Sequence, residues 1–306
     1  MKILNNILET VGKTPIIKLS NINDTHAEIY VKLESSNPGG SVKDRVALSM
    51  IEEAEKDGRL KKGDLVIETT SGNTGIGLAM VCALKGYRLI IIMPDSVSVE
   101  RRQLLGAYGA ELILTEGKKG MKECLRISEE LKEKHPNAFF PNQFVNQDNP
   151  ESHFNGTGLE IWNTFKENLD IFVCGTGTGG TFSGTARLLK EKNKNIQTIA
   201  LEPDTAPFIS KGITGSHKIQ GMGMSAGFIP DTFHPQYMDD IMTISYEESL
   251  EYVNKLAKEE GILSGISSGA NVAAAINIAR NPKNKGKKIL TIIMDTGERY
   301  LSSNIF

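Results

Sequence analysis

Cysteine is scarce. Cys82, Cys124 and Cys174 are odd in number, far apart and in no C-x-x-C pair. That argues against a disulfide framework and against a thiolate zinc site. The five histidines, His26, His135, His153, His217 and His234, show no ligand spacing such as H-E-x-x-H. They read as ordinary surface or loop residues, and no metal is expected. The single tryptophan, Trp162, lies near Phe165 and reads as core rather than as a stacking platform. Neither charge sign dominates: 35 Lys and Arg face 37 Asp and Glu, for a net charge of −2. This argues against a general nucleic-acid or anionic-membrane binder. The longest apolar runs, near 77–84 and 89–93, are too short to span a bilayer. Residues 1–6 hold no long apolar stretch, so no signal peptide is visible and a reducing cytoplasm is the default. There is no long repeat and no low-complexity tract.

What is present is an alternation. The chain has 306 residues, 39% of them apolar, enough for one large or two ordinary domains. Short strands are expected at 14–19, 29–33, 65–68, 88–93 and 110–115. Helices are expected after Lys43 and over 76–84, 99–108 and 121–134. This βαβα order predicts a parallel sheet with helices on both faces and right-handed crossovers. A polar stretch over 136–150 places a boundary near residue 145, giving units 1–145 and 146–306. The smaller, mobile unit would cover about 37–145, leaving the strands of 13–34 to pair with the second sheet. The second half repeats the alternation: helix 150–166, strand 171–174, a loop over 175–181 leading into a helix, strand 196–202. A loop-rich stretch, 205–236, is the expected mobile segment. Ser245 and Glu248 form a capping box opening a helix to 260. A helix over 267–280 and a strand over 288–294 close the chain. The fold class is α/β, with two open, mostly parallel twisted sheets flanked by helices.

Four stretches carry chemistry. Asn37-Pro38-Gly39-Gly40 makes a loop, and Ser41 with Asp44 gives an S-x-x-D helix-start pattern. Lys43 then sits in the first turn, beside free N–H groups and the positive dipole end. A lysine adds nothing favourable there. It is either an exposed lysine or one kept partly neutral as a nucleophile. Gly175, Gly177 and Gly180 fit G-x-G-x-x-G, and Glu202 follows where a dinucleotide fold places its ribose acid. A dinucleotide, another phosphate and tight packing all remain open for that loop. Thr70, Ser71, Asn73 and Thr74 suit a small carboxylate, or simple helix capping. Gly265-Ile266-Ser267-Ser268-Gly269 offers a third such loop, again capping or ligand. Three strand-to-helix loops and one first-turn lysine exceed what hydride transfer needs. They suit a phosphate-bearing aldehyde cofactor and an amino-acid carboxylate.

The ordered motifs are Gly12-Lys13-Thr14-Pro15, Ser41-Val42-Lys43-Asp44-Arg45, Thr70-Ser71-Gly72-Asn73-Thr74-Gly75 and Glu100-Arg101-Arg102. They continue with Gly177-Thr178-Gly179-Gly180-Thr181, His217-Lys218-Ile219-Gln220-Gly221, Gly227-Phe228-Ile229-Pro230, the Ser267 loop, and Gly297-Glu298-Arg299-Tyr300. Over nearly its whole length the chain resembles the cysteine synthase (O-acetylserine sulfhydrylase) family. That family is pyridoxal-phosphate-dependent, of fold type II, tryptophan synthase beta-like. The resemblance implies pyridoxal 5'-phosphate in the cleft between two domains, held by Lys43 as an internal aldimine. Gly177, Thr178, Gly179, Gly180 and Thr181 would cradle its phosphate, Asn73 its ring hydroxyl and Ser267 its pyridine nitrogen. Thr70, Ser71, Gly72, Thr74, Gln143 and Gly221 would contact substrate. The implied reaction is β-replacement of O-acetyl-L-serine by sulfide through an α-aminoacrylate, giving L-cysteine. Alternatives are a relative using cysteine or serine, with hydrogen sulfide release or lanthionine or cystathionine formation, and, more remotely, a nicotinamide-dependent dehydrogenase. The resemblance also implies a homodimer and a possible complex with the C-terminal tail of serine acetyltransferase. Three features depart from the family pattern: two extra residues within 221–227, Thr69 in place of a proline, and Asp295 where relatives often have serine.

Overall fold

The computed structural model describes residues 3–224 and 227–306. Ser225 and Ala226, inside the lengthened 221–227 stretch, lie outside the described residues, as do Met1 and Lys2. Runs of Ile, Val and Leu form short strands, most of them followed by a turn and a helix. The first half holds β1 (Ile16–Lys18), β2 (Glu28–Leu33), α1 (Lys43–Lys56), β3 (Leu65–Thr69), α2 (Asn73–Lys85) and β4 (Arg88–Pro94). It continues with α3 (Val99–Ala107), β5 (Glu111–Thr115) and α4 (Gly120–Lys134). The second half holds α5 (Asp148–Ser152), α6 (Leu159–Phe165), β6 (Ile171–Gly175), α7 (Gly180–Lys192) and β7 (Gln197–Pro203). α8 (Phe208–Lys211), β8 (Asp240–Ile244), α9 (Tyr246–Glu259), α10 (Ile266–Ala279) and β9 (Lys288–Ile293) follow.

The expected α/β architecture is present as two sheets. The smaller, β3-β4-β5, is all parallel. The larger runs β1-β2-β9-β6-β7-β8 and is parallel except for the β1–β2 pair. β2 pairs with β9 along its length, from Glu28 with Lys288 to Leu33 with Ile293. The strands of 13–34 thus join the sheet of the second half. All five residues of β6 and all but the first of β4 are buried, as in parallel strands covered on both faces. α10 is buried at nearly every position, which its all-round apolar sequence requires.

Two close approaches set the position of Lys43. A Cβ on Gly77 would lie 3.0 Å from the Lys43 carbonyl oxygen and 3.0 Å from the Ala47 Cβ. Helices α1 and α2 therefore touch at backbone distance. On the other side, the loop before α1 is stitched to the end of β9. Val42 N–H donates to the Met294 carbonyl (2.8 Å), and Thr296 N–H to the Gly40 carbonyl (3.1 Å). Lys43 is thereby clamped between the two sheets.

Three expectations change. α1 begins at Lys43 without the reciprocal capping box: the Ser41 hydroxyl accepts the Lys43 N–H (3.2 Å), while Asp44 reaches back to Gly39 N–H (2.6 Å). The helix expected over 150–166 starts earlier and contains a π-helical turn at His153–Gly158. That wide turn lodges His153 in the interior, where it meets Thr157 Oγ1 (2.9 Å) and Thr181 Oγ1 (3.2 Å). His153 is therefore no surface residue, and burial holds it well below the usual imidazole range.

Candidate active site

Three helices open on glycine, and none has a side-chain cap. Gly72 precedes α2, Gly179 precedes α7 and Gly265 precedes α10. Their N-cap residues offer no side-chain acceptor, and of the first-turn amides only Gly180 N–H meets one, Thr178 Oγ1 at 3.3 Å, so these starts carry the positive dipole end. Serine or threonine capping, the alternative for two of these loops, is not what the side chains do. The Thr70 hydroxyl accepts the Gly72 N–H (3.2 Å), and Ser268 Oγ accepts the Met294 N–H (2.8 Å).

These loops border a cavity of ≈ 570 Å³. Its wall brings together Lys43, Thr70, Ser71, Gly72, Asn73, Thr74, Gln143, Gly177, Thr178, Gly221 and Ser267, eleven of the residues singled out in the sequence. Gly179, Gly180 and Thr181 stand behind that wall, in the turn and first residues of α7. Packing alone demands several of these glycines. A Cβ on Gly177 would come 2.5 Å from the Gly221 carbonyl oxygen, and one on Gly180 only 2.0 Å from Asn149 Oδ1. Gly179 has φ +85°, which L side chains rarely adopt.

Lys43 is half-buried on this wall, in a first turn whose next residues, Asp44, Arg45 and Val46, are all buried. Burial lowers its amine below the ordinary lysine range, while the carboxylates of Asp295 and Glu34 pull the other way. Cys174 itself, fully buried, is pushed up to about 12 and stays a thiol. An amine of lowered pKa holds more of its neutral, nucleophilic form at neutral pH.

Asn73 is fixed from both sides. Its Oδ1 accepts from Arg299 Nη1 (2.6 Å), and its Nδ2 donates to Asp295 Oδ2 (2.7 Å). The Tyr300 hydroxyl donates to the same carboxylate oxygen (2.6 Å). Asp295 therefore reaches the cavity wall instead of merely ending its strand. Burial beside that carboxylate raises the Tyr300 phenol well above its usual range. Arg101, from α3, lies 4.8 Å over the Tyr300 ring and donates to Gln220 Oε1 (2.9 Å).

Two contributors escaped the sequence reading. Asn149 Nδ2 donates both to the Gln143 carbonyl (2.8 Å) and to Thr178 Oγ1 (3.0 Å), tying two loops together. Glu68 lies beneath the Gln143 turn and accepts the Asn142 N–H at 2.8 Å. Glu202 has a different employment from the ribose contact: its buried carboxylate accepts Ile209 N–H (2.8 Å) and Ser210 N–H (3.0 Å). The dehydrogenase reading loses its acid. Among the described residues, no group of three His, Cys, Asp or Glu is placed to hold a metal ion.

The wall fits a phosphate-bearing aldehyde: an amine of lowered pKa, uncapped helix starts for anions, a hydroxyl at Ser267 and an oriented amide at Asn73. A family model described as pyridoxal-phosphate dependent enzyme matches residues 7–295. The chain belongs to that family. Its cofactor is pyridoxal 5'-phosphate. Among pyridoxal-phosphate-dependent enzymes it is 50% identical to a cysteine synthase of Staphylococcus aureus, over 100% of this chain and 98% of the relative. A hydrogen sulfide-producing enzyme from Fusobacterium nucleatum superposes with TM-score 0.94 at 52% identity, covering 98% of this chain and 100% of that one. Cysteine synthase from Entamoeba histolytica superposes with TM-score 0.96 at 43% identity, covering 100% and 91%. Among the described residues of this pyridoxal-phosphate-dependent enzyme, no helix is long and apolar enough to cross a membrane.

Proposed function

We propose that this enzyme makes L-cysteine from O-acetyl-L-serine and sulfide by β-replacement. The observation that carries the proposal is the placement of Lys43, its pKa lowered by burial, on a wall shared by three uncapped helix starts. Bound pyridoxal phosphate supplies the electron sink that lets an amino acid lose its α-proton and its β-substituent. Lys43 would hold the cofactor covalently and, once freed, take the proton from the substrate Cα as general base. Gly177, Thr178, Gly179, Gly180 and Thr181 would hold the phosphate through loop amides, the Thr178 hydroxyl and the start of α7. Asn73 would meet the ring hydroxyl with the amide orientation that Arg299 and Asp295 enforce. Ser267 would meet the pyridine nitrogen. A hydroxyl there leaves that nitrogen largely unprotonated, which favours expulsion of a β-leaving group over long-lived carbanion chemistry.

Thr70, Ser71, Gly72, Thr74 and Gln143 would grip the substrate carboxylate, with Gly221 at the opposite side of the cavity. That grip would draw the start of α2 inward, close a smaller unit spanning about 37–145 over the larger one and exclude water. Homodimer assembly, a cytoplasmic location and capture of a serine acetyltransferase tail belong to the same reading.

A second reading, release of hydrogen sulfide from cysteine, has one observation in its favour: the Fusobacterium nucleatum relative, at 52% identity. The two are separated by rates. Purified holoenzyme is expected to form cysteine from O-acetylserine and sulfide faster than it releases sulfide from cysteine. The reverse order would transfer the assignment to the second reading.

A further inference from the structure

We propose that Glu68 is a positioning residue for the substrate-carboxylate grip: it fixes the turn at 142–143 and thereby aims Gln143 at Thr74. The inference rests on Thr74 and Gln143 contacting substrate, as proposed above.

Glu68 lies near the end of β3 and is only 4% exposed. Beside it, the chain at Phe139 extends the small sheet. Ile67 N–H donates to the Phe139 carbonyl (2.9 Å) and Phe139 N–H to the Leu65 carbonyl (2.8 Å). The chain then turns away at Asn142, whose φ of +58° is uncommon for a residue with a side chain. Such a conformation persists where surroundings enforce it. Glu68 Oε2 accepts the Asn142 N–H at 2.8 Å, and Oε1 faces the Gln143 N–H at 3.5 Å. The Gln143 side chain then accepts the Thr74 hydroxyl at 2.6 Å. A buried carboxylate, a left-handed turn, an amide and a hydroxyl thus form one connected series ending at the cavity wall.

Among the described residues, no cation compensates Glu68. The 138–144 segment carries no charge, and neither do the described residues of 223–230. Arg88 is at the opposite end of β4, and Lys85 at the far end of α2. On α4, Glu129 and Lys132 line the adjoining pocket but are exposed, and pair with each other at 4.0 Å. Burial raises Glu68 to about 7, against the pull of the two backbone amides. The ionised form accepts those N–H groups best. As pH falls through about 7, a proton lands on the carboxylate, its hold on the turn weakens, and the grip loosens.

The test compares Glu68→Gln with wild type as holoenzymes, by steady-state kinetics with O-acetylserine from pH 6 to pH 8. Glutamine keeps the shape and one acceptor oxygen but cannot ionise. Substrate ionisations are common to both proteins, so the ratio of their KM values is the readout. We expect a ratio near one at pH 6, rising toward about tenfold at pH 8 as the wild-type group ionises. The kcat ratio should stay within about twofold, since no reacting atom is touched. A KM ratio independent of pH, or a loss confined to kcat, would overturn the proposal. Gln143→Ala provides the second arm: its KM should be raised, and its own pH dependence should match that of Glu68→Gln. A raised Gln143→Ala KM beside a flat Glu68→Gln ratio sinks only the role of Glu68. An unchanged KM in Gln143→Ala sinks the substrate-contact reading, and this inference with it.

Discussion

Lys43→Ala holoenzyme, reconstituted with pyridoxal phosphate, is expected to lose at least about 10³-fold in turnover while remaining folded. The loss has two sources: no side-chain amine is left to hold the cofactor, and none to take the α-proton. Positioned proton transfer alone is typically worth about 10²–10⁴-fold. The fold should survive because α1 is anchored elsewhere. Val46, Ala47, Met50, Ile51 and Ala54 supply its buried face. Removing a desolvated amine also relieves a cost of burial. Turnover in the wild-type range would exclude Lys43 from the chemistry. Activity loss with an unfolded circular dichroism spectrum would instead assign Lys43 to structure.

The largest effect on stability is expected at Arg45, two residues further on. Its guanidinium reaches Glu34 through Nε (2.7 Å) and Nη2 (2.9 Å), and Glu160 through Nη1 and Nη2, both at 2.8 Å. Lys32 completes the cluster, 2.7 Å from Glu160 and bonded to the Thr14 carbonyl (3.0 Å). Glu34 and Lys32 are almost wholly inaccessible to solvent. Arg45→Ala leaves Glu34 as a buried charge without its counter-ion, which typically costs about 3–5 kcal/mol. Thr14 and Asn37 still donate to that carboxylate, at 2.7 and 2.8 Å, and place the loss toward the lower end. Removing both charges, in Glu34→Gln with Arg45→Met, should recover most of the stability, because no ion is left stranded. Denaturant unfolding measures both. A loss below about 1 kcal/mol in Arg45→Ala would mean that the cluster behaves like an exposed ion pair. The cluster joins α1 to β2 and α6, so it also holds the helix that presents Lys43.

The alternation of strands and helices was legible because amphipathic and apolar runs are local signals. So was the Ser245–Glu248 capping box, where Ser245 Oγ accepts the Glu248 N–H at 3.1 Å. β8 went unnoticed. It is a half-exposed edge strand following the long loop, and Asp240-Ile241-Met242-Thr243-Ile244 shows neither clean alternation nor a buried run. The π-helical turn was hidden because one widened turn barely disturbs a helical period. At the site, the backbone context of Lys43 and of the three loops could be read from glycine placement. The destinations of side chains could not. Asn149 meets Thr178 across 29 positions, Asn73 meets Asp295 across 222, and Glu68 meets Asn142 across 74. Such pairings are set by how sheets and helices stack. Glu202 illustrates the reverse error: its spacing matched a dinucleotide pattern, but the neighbouring α8 backbone occupies its carboxylate.

The covalent attachment at Lys43 is the claim on which the functional account stands. Borohydride reduction of the holoenzyme followed by peptide mass mapping tests it most directly. The account predicts one pyridoxyl-modified peptide, with the modification on the Lys43 side chain. A modification on any other lysine, or a holoenzyme that yields none, would contradict it.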